Sequence, residues 1–349
     1  MLSTSSDLAS RWQALAARQP SLRIYDAARL LGEPEAALLQ VEPGSDVTRL
    51  VCDWAALLPA VGDLGRVMAL TRNASCVHER HGQYLNVEAD GPVGLALGED
   101  IDLRLFLRQW AHGFAVRPEA GGRRRPSLQF FDAAGRAVHK IFCTGETDMA
   151  AYDAFVARFA TPDGAAPADF EAPKPAKRDR PDSEIDVEGL RAAWNALRDT
   201  HDFFGMLRKF GAGRVQAMRL AGPELARPLG TGAVRRALET ASRTKLAIMV
   251  FVGNEGCIQI HSGPVDRLKQ TGDWFNVLDP AFNLHLKETD IASVWLVRKP
   301  TADGIVTSLE VFDAAGTTIA TLFGKRKPGV PENLRWRALV DEVAAAEAN

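Results

Sequence analysis

SLQFFDAAG at residues 127–135 and SLEVFDAAG at residues 308–316 decide how this chain folds, because the second repeats the first 181 residues later. At the same offset Cys76 falls on Cys257, Gly82 on Gly263, Leu103 on Leu284, Leu105 on Leu286, Ala111 on Ala292, Val116-Arg117 on Val297-Arg298 and Phe142 on Phe323. A period this long means two copies of a domain and not a solenoid. An insertion is expected between Asn86-Val87 and the pair Asn276-Val277, where the offset reads 190.

Between the copies, Thr161 to Ser183 is rich in Pro, Ala and charge, which suits a linker. The expected domains are therefore 1–160 and 184–349, joined by 161–183. Each copy reads as helices first and sheet afterwards. In the second, VEGLRAAWNALRDTHDFFGMLRKFGAGRVQAMRL has helical apolar spacing broken at Gly211 and Gly213. KLAIMVFVG, CIQIHSG, WFNVLD, FNLHLK, ASVWLVRK, SLEVFDAAG and TIATLFG follow as strands separated by turn signals. Consecutive strands with little helix between them predict an α+β fold, a tandem duplication in which each half is a large antiparallel β-sheet with associated helices.

The 349 residues carry 42 basic and 44 acidic side chains, a net charge of −2, and 46% are hydrophobic. That balance excludes a basic nucleic-acid binder and a disordered chain. The longest apolar run, Leu246 to Val252, is far short of the roughly 18 residues that span a bilayer, and the first twenty residues lack the pattern of an export signal. Cys52, Cys76, Cys143 and Cys257 form no CxxC pair and are expected to be free thiols of a cytoplasmic protein.

The chain has no GxGxxG, P-loop, HExxH, GxSxG or CxxCH motif, so nucleotide, phosphoryl, protease, hydrolase and c-type cytochrome assignments lack support. Of seven histidines, His201 is distinctive. It opens a predicted helix with Asp199 or Thr200 as N-cap and Gly211 as the stop. Helical spacing puts Phe204, Gly205 and Arg208 on its face and turns Phe203, Met206, Leu207 and Phe210 inward. An imidazole, a ring, a bare glycine and a cation suit the edge of a porphyrin; an exposed histidine at a helix start is the plainer alternative. His78 and His81 are expected on different faces of a strand and turn, in a surface or turn role, and His261 and His285 within strands, while His112 and His139 have no distinguishing context. Arg104 lies between Leu103 and Leu105, facing away from them if in a strand and sharing a face with Arg108 if in a helix. Arg123, Arg124 and Arg125 suit a solvated loop. Arg214, Arg298, Lys299 and Arg326 are further candidate cations.

DLRLFLRQW, SLQFFDAAG with KIF and TGETD, THDFFGMLRKFG, GCIQIHSGPV, WFNVLDPAFNLHL, and SVWLVRKPT with SLEVFDAAG together resemble the HemS/ChuS family of bacterial cytoplasmic haem-utilisation proteins, which includes the PhuS and HmuS types. The resemblance covers nearly the whole chain. It implies two similar halves and one haem b (iron protoporphyrin IX), with His201 as iron ligand and Arg104 on the distal, catalytic side. By the same resemblance Arg214 is a cation near the haem, and Lys299 and Arg326 are pocket or propionate contacts.

In the first copy Tyr25, before Asp26, stands in the place of His201, so that copy is expected not to bind haem in the same way. Arg104 aligns with His285. The implied partners are haem, an inner-membrane haem ABC importer as donor, and a haem oxygenase or reductase as acceptor or electron source. Two activities stay open, a haem carrier and a haem-degrading enzyme driven by an external reductant, because no flavin or nicotinamide motif supplies electrons.

Overall fold

The structure is a computed structural model describing residues 5–119, 124–162, 167–175, 178–327 and 329–346. In the first repeat the elements are α1 (Ser5–Arg18), α2 (Ile24–Leu31), α3 (Glu35–Gln40), β1 (Ser45–Leu50), α4 (Trp54–Ala60), β2 (Gly65–Arg72), β3 (Cys76–Gly82), β4 (Val87–Glu88), β5 (Gly94–Leu97), β6 (Asp102–Leu105), β7 (His112–Pro118), β8 (Ser127–Phe131), β9 (Ala137–Thr147) and α5 (Met149–Phe159). The second runs α6 (Val187–Asn195), α7 (Asp202–Phe210), α8 (Arg214–Ala221), β10 (Ala226–Leu229), α9 (Ala233–Thr244), β11 (Ile248–Gly253), β12 (Cys257–Gly263), β13 (Leu268–Thr271), β14 (Trp274–Leu278), β15 (Phe282–Lys287), β16 (Ser293–Thr301), β17 (Gly304–Phe312), β18 (Thr318–Gly324) and α10 (Leu334–Ala346). The order is the same in both: three helices, a strand, a helix, eight strands and a closing helix. The sequence expectation of helices followed by sheet thus needs one amendment, the strand and helix interposed before the main run of strands.

Two nine-stranded sheets result, in the orders β1-β7-β8-β9-β2-β3-β15-β14-β13 and β10-β16-β17-β18-β11-β12-β6-β5-β4. The pairings β1/β7/β8/β9 with β2, and β10/β16/β17/β18 with β11, are antiparallel. Two compact units emerge, and neither is a contiguous half of the chain. One comprises Met1–Arg72, Glu79–Lys174 and Asn254–Gln259; the other comprises Asn73–His78, Pro175–Gly253 and Ile260–Asn349.

In the first unit β8 is buried along its whole length because helices cover both faces. Leu128 and Phe130 meet Leu57, Leu58, Tyr152 and Phe155 on one face, while Phe131 meets Ala36, Leu39 and Phe114 on the other. In the second unit Leu309 and Val311 pack with α9 and α10, and Phe312 packs with Trp194, Phe203 and Leu207. Part of the expected linker is docked on the first unit: the Gln40 amide exchanges hydrogen bonds with the Ala168 backbone, and Glu171 N–H donates to the Ala133 carbonyl. Residues 163–166 and 176–177 of that stretch, and Arg123, lie outside the described residues.

Strand register corrects two alignments read from sequence. Val87 pairs with Ala96, which pairs with Leu103; Leu268 pairs with Val277, which pairs with Leu284. Val87 therefore matches Leu268 at the constant offset of 181, and no insertion separates the copies there. Upstream the offset is 179. Val47 faces Val116 as Ala226 faces Val297, and both α2 and α7 end on a left-handed glycine, Gly32 and Gly211. His201 thus matches Leu22, and Tyr25 matches Phe204. The shared Asp had suggested otherwise, but the helix end and the strand register fix the phase.

The first unit also buries a polar chain. Tyr84 lies 2.5 Å from His139 Nε2, His139 Nδ1 is 2.8 Å from Thr71 Oγ1, and Thr71 Oγ1 is 3.4 Å from Cys257 Sγ. The matching positions in the other unit are Val265, Ala320, Val252 and Cys76, all buried. Burial pushes His139 down to about 3. An unfolded chain therefore takes up a proton there between pH about 6.5 and 3, and stability falls as pH falls through that window. In urea unfolding at pH 6.5, 5.5 and 4.5, the His139→Gln variant should lose less stability with acid than the wild type, by up to about 1.4 kcal/mol per pH unit. Parallel profiles would show that His139 is not held neutral.

Candidate functional site

Helix α7 is set by its ends and its inner stripe. Gly211, at φ 65°, donates to the Arg208 carbonyl, and Ala212 N–H donates to the Leu207 carbonyl 3.1 Å away, a Schellman closure. Phe203, Met206 and Leu207, spaced three and four apart, are buried, and Phe210 packs beside them. The opposite face is open: His201 is 86% exposed at its side chain, Phe204 is 67% exposed, and Gly205 and Arg208 are exposed too. A Cβ at Gly205 would meet nothing within 4 Å, so no protein packing requires a glycine there. The Arg208 guanidinium lies 5.8 Å from the Phe204 ring.

The helix starts at Asp202, with His201 in the capping position but in right-handed helical backbone. Asp199 does not cap it. Its carboxylate instead accepts the His201 backbone N–H at 2.8 Å and contacts His201 Nδ1 at 2.6 Å. The backbone N–H first, and then the imidazole, hold the Asp199 carboxyl below the usual range. An ionised carboxylate only accepts, so in the neutral ring Nδ1 carries the proton and the lone pair is on Nε2. Sequence reasoning missed this role because Asp two residues before a helix reads as a cap.

Beneath α7 lies a charge cluster. Glu310, on β17 and wholly buried, accepts from Arg214 Nε at 2.7 Å, from Lys299 Nζ at 2.7 Å and from Ser308 Oγ at 3.1 Å. Burial alone would raise its pKa, but Arg214 and Lys299 hold it down at about 2. Lys299 Nζ sits 4.4 Å and the Arg214 guanidinium 5.3 Å from the centre of the Phe203 ring, which makes a T-shaped contact with Trp194 at 4.5 Å between ring centres. Lys299 is 3% exposed. It bonds Glu310 inside the core, on the side of Phe203 away from solvent-exposed Phe204.

The other candidates are dispersed. Arg326 is mostly buried, lies 3.8 Å from the Asp303 carboxylate, and adds to the positive field on Asp199. Arg298 donates to Asp341 at 2.9 Å. Arg104, in strand β6, faces away from buried Leu103 and Leu105 as the strand reading requires, and its guanidinium bonds Asp102 and the Leu103 carbonyl. Arg124 pairs with Glu42, while Arg125 is exposed.

His78 and His81 fall on opposite faces of β3, His78 buried against Phe282 and not in the surface or turn position expected of it, and the His261 ring stacks on Phe282 at 3.7 Å. His285 Nδ1 meets the Asn276 side-chain oxygen at 2.6 Å, and His112 lies edge-on to Phe170. Among the described residues no three His, Cys, Asp or Glu side chains form a metal cluster, and no helix is long and apolar enough to cross a membrane.

A family model described as the haemin-degrading HemS.ChuX domain matches residues 32–159 and 211–343. His201 lies between the two matched segments. The hemin transport protein HmuS of Yersinia pestis is 41% identical over 324 residues, 92% of each chain. The solved structure of holo-PhuS, a heme-binding protein from Pseudomonas aeruginosa, is 49% identical with a TM-score of 0.94, over 97% of this chain and 99% of that one. That of ChuS, an E. coli heme oxygenase, is 36% identical with a TM-score of 0.86 over the same shares.

The Asp199 contact has its own readout. Nitrogen NMR of the histidine side chains should show the Nδ1–H tautomer at His201 in the wild type and a shift towards Nε2–H in Asp199→Ala. An unchanged tautomer would remove Asp199 from its role.

Proposed function

Because the chain belongs to the HemS family, we propose that it binds haem through His201, receiving imported haem in the cytoplasm and passing it on. The observation that carries this reading is the His201 imidazole, exposed and fixed by Asp199 with Nε2 free, beside the exposed Phe204 ring and the bare Gly205. Iron requires a neutral imidazole nitrogen, and the carboxylate partner fixes the tautomer and raises the basicity of the nitrogen left free. Phe204 and Gly205 offer the apolar, unobstructed surface that a flat macrocycle needs, and Arg208 and Arg214 offer cations for its carboxylates. Arg326, near Asp199, adds positive potential at the same end of the helix.

A single exposed histidine on a helix face suits loading and release. Cys52, Cys76, Cys143 and Cys257 are all free thiols, which fits a reducing compartment. Supply by an inner-membrane importer, and hand-over to an oxygenase or reductase, are the partner relations this role requires.

Hemin titration followed by visible absorption tests the proposal. Wild type should bind one haem with a histidine-type spectrum, His201→Ala should lose it, and Asp199→Ala should bind about tenfold more weakly. Equal binding by wild type and His201→Ala would defeat the axial assignment. Ascorbate, or NADPH with a reductase, is then added with catalase present. A stable or merely reduced spectrum supports the carrier. Loss of the haem band with a linear tetrapyrrole product, abolished in Arg104→Ala while binding persists, would establish a degrading enzyme instead.

A further inference from the structure

The duplication supplies an internal comparison for the Glu310 cluster. By the registers above, Arg214, the first residue of α8, matches Glu35, the first residue of α3. Glu310 matches Gln129, and Lys299 matches Pro118. In the first repeat Glu35 bonds the Lys140 ammonium, one anion for one cation, and Gln129 donates to Ser127 Oγ at 3.0 Å. A carboxylate in the first turn of a helix agrees with the helix dipole. The second repeat reverses that sign and adds a cation, leaving two positive groups on one buried carboxylate.

Both changes work against stability, since a cation at a helix start opposes the dipole and a surplus buried charge is poorly solvated. The fold does not demand them, because the first repeat builds the same elements without them. The surplus reaches the surface only through Arg214, 30% exposed at its side chain. Its Nε is taken by Glu310, and among the described residues Nη1 and Nη2 make no hydrogen bond.

We infer that Glu310 is a positioning residue: it grips Arg214 by Nε so that the two terminal nitrogens face outward as a fixed fork for a carboxylate of the ligand. This rests on the haem reading above and adds what that site selects, a flat ligand bearing free carboxylates. A guanidinium held from behind loses less freedom on binding than a mobile one, and a planar fork matches a carboxylate where a point charge does not. Lys299 is the second cation on Glu310, so the carboxylate is balanced without cancelling the Arg214 charge.

Hemin and hemin dimethyl ester, which lacks the carboxylates, separate this role from a structural one. The test variant is Lys299→Met combined with Glu310→Gln, which removes the buried ammonium with its partner; Gln129 shows that the fold accepts glutamine at this position. With its circular dichroism unchanged, the variant should bind hemin about tenfold more weakly and the ester as the wild type does, with the histidine-type spectrum retained for both. Adding Arg214→Ala should cost nothing more.

Arg214→Lys, which keeps the charge but loses the fork, should show the same selective loss and gives the answer if the double variant does not fold. Unchanged hemin affinity, equal loss for both ligands, or a further loss on adding Arg214→Ala would overturn the inference. Failure of wild type to bind hemin, or persistence of the spectrum in His201→Ala, would instead overturn the haem reading.

Discussion

A carboxylate with no exposure to water stays ionised only where cations meet it, and Glu310 is met by two. From that constraint the surrounding geometry follows. Arg214 must open α8 and Lys299 must point inward from β16, because each supplies a donor to Glu310. Phe203 lies across both cations, so its ring fixes the rotation of α7 about its axis. With Phe203 turned inward, Phe204 and Arg208 must turn outward, and Asp199 holds the His201 ring at the exposed start of that face.

The two repeats show what duplication keeps and what it frees. Element order, strand register and the closing glycines of α2 and α7 are shared, because apolar periodicity and backbone conformation specify them. Buried polar groups diverge. One unit seals Tyr84, His139, Thr71 and Cys257 into a hydrogen-bonded chain where the other packs Val265, Ala320, Val252 and Cys76. One places Glu35 against Lys140 where the other places Arg214 against Glu310. Each polar set must be satisfied within its own unit, so such sets change together.

Much of the site was legible because it lies on one helix. The spacing of Phe203, Met206 and Leu207, the stop at Gly211 and the open face carrying His201, Phe204, Gly205 and Arg208 are all local patterns. Where sequence reasoning failed, the partner was out of register or out of sight. Tyr25 was matched to His201 through a shared Asp, whereas the helix end and the β1 register match it to Phe204. Asp199 looked like a cap because an Asp near a helix start commonly is one, and Lys299 read as a candidate pocket cation with no sign of its bond to Glu310 on the next strand. His139 gave no signal at all, since none of its partners is near it in the chain.

The sequence by itself determined the duplication, the antiparallel strands and the helix that carries His201. Each depends on repetition or on periodicity within a few turns or strands, which a linear string preserves. Tertiary structure alone decided which charges are spent and which are available. Arg214 meets Glu310 across 96 residues of chain, and a side chain's chemistry in a protein is set by what lies against it in space. Periodicity reports the face a residue takes, but only the packed structure reports that Lys299 bonds Glu310 while, among the described residues, two nitrogens of Arg214 make no hydrogen bond.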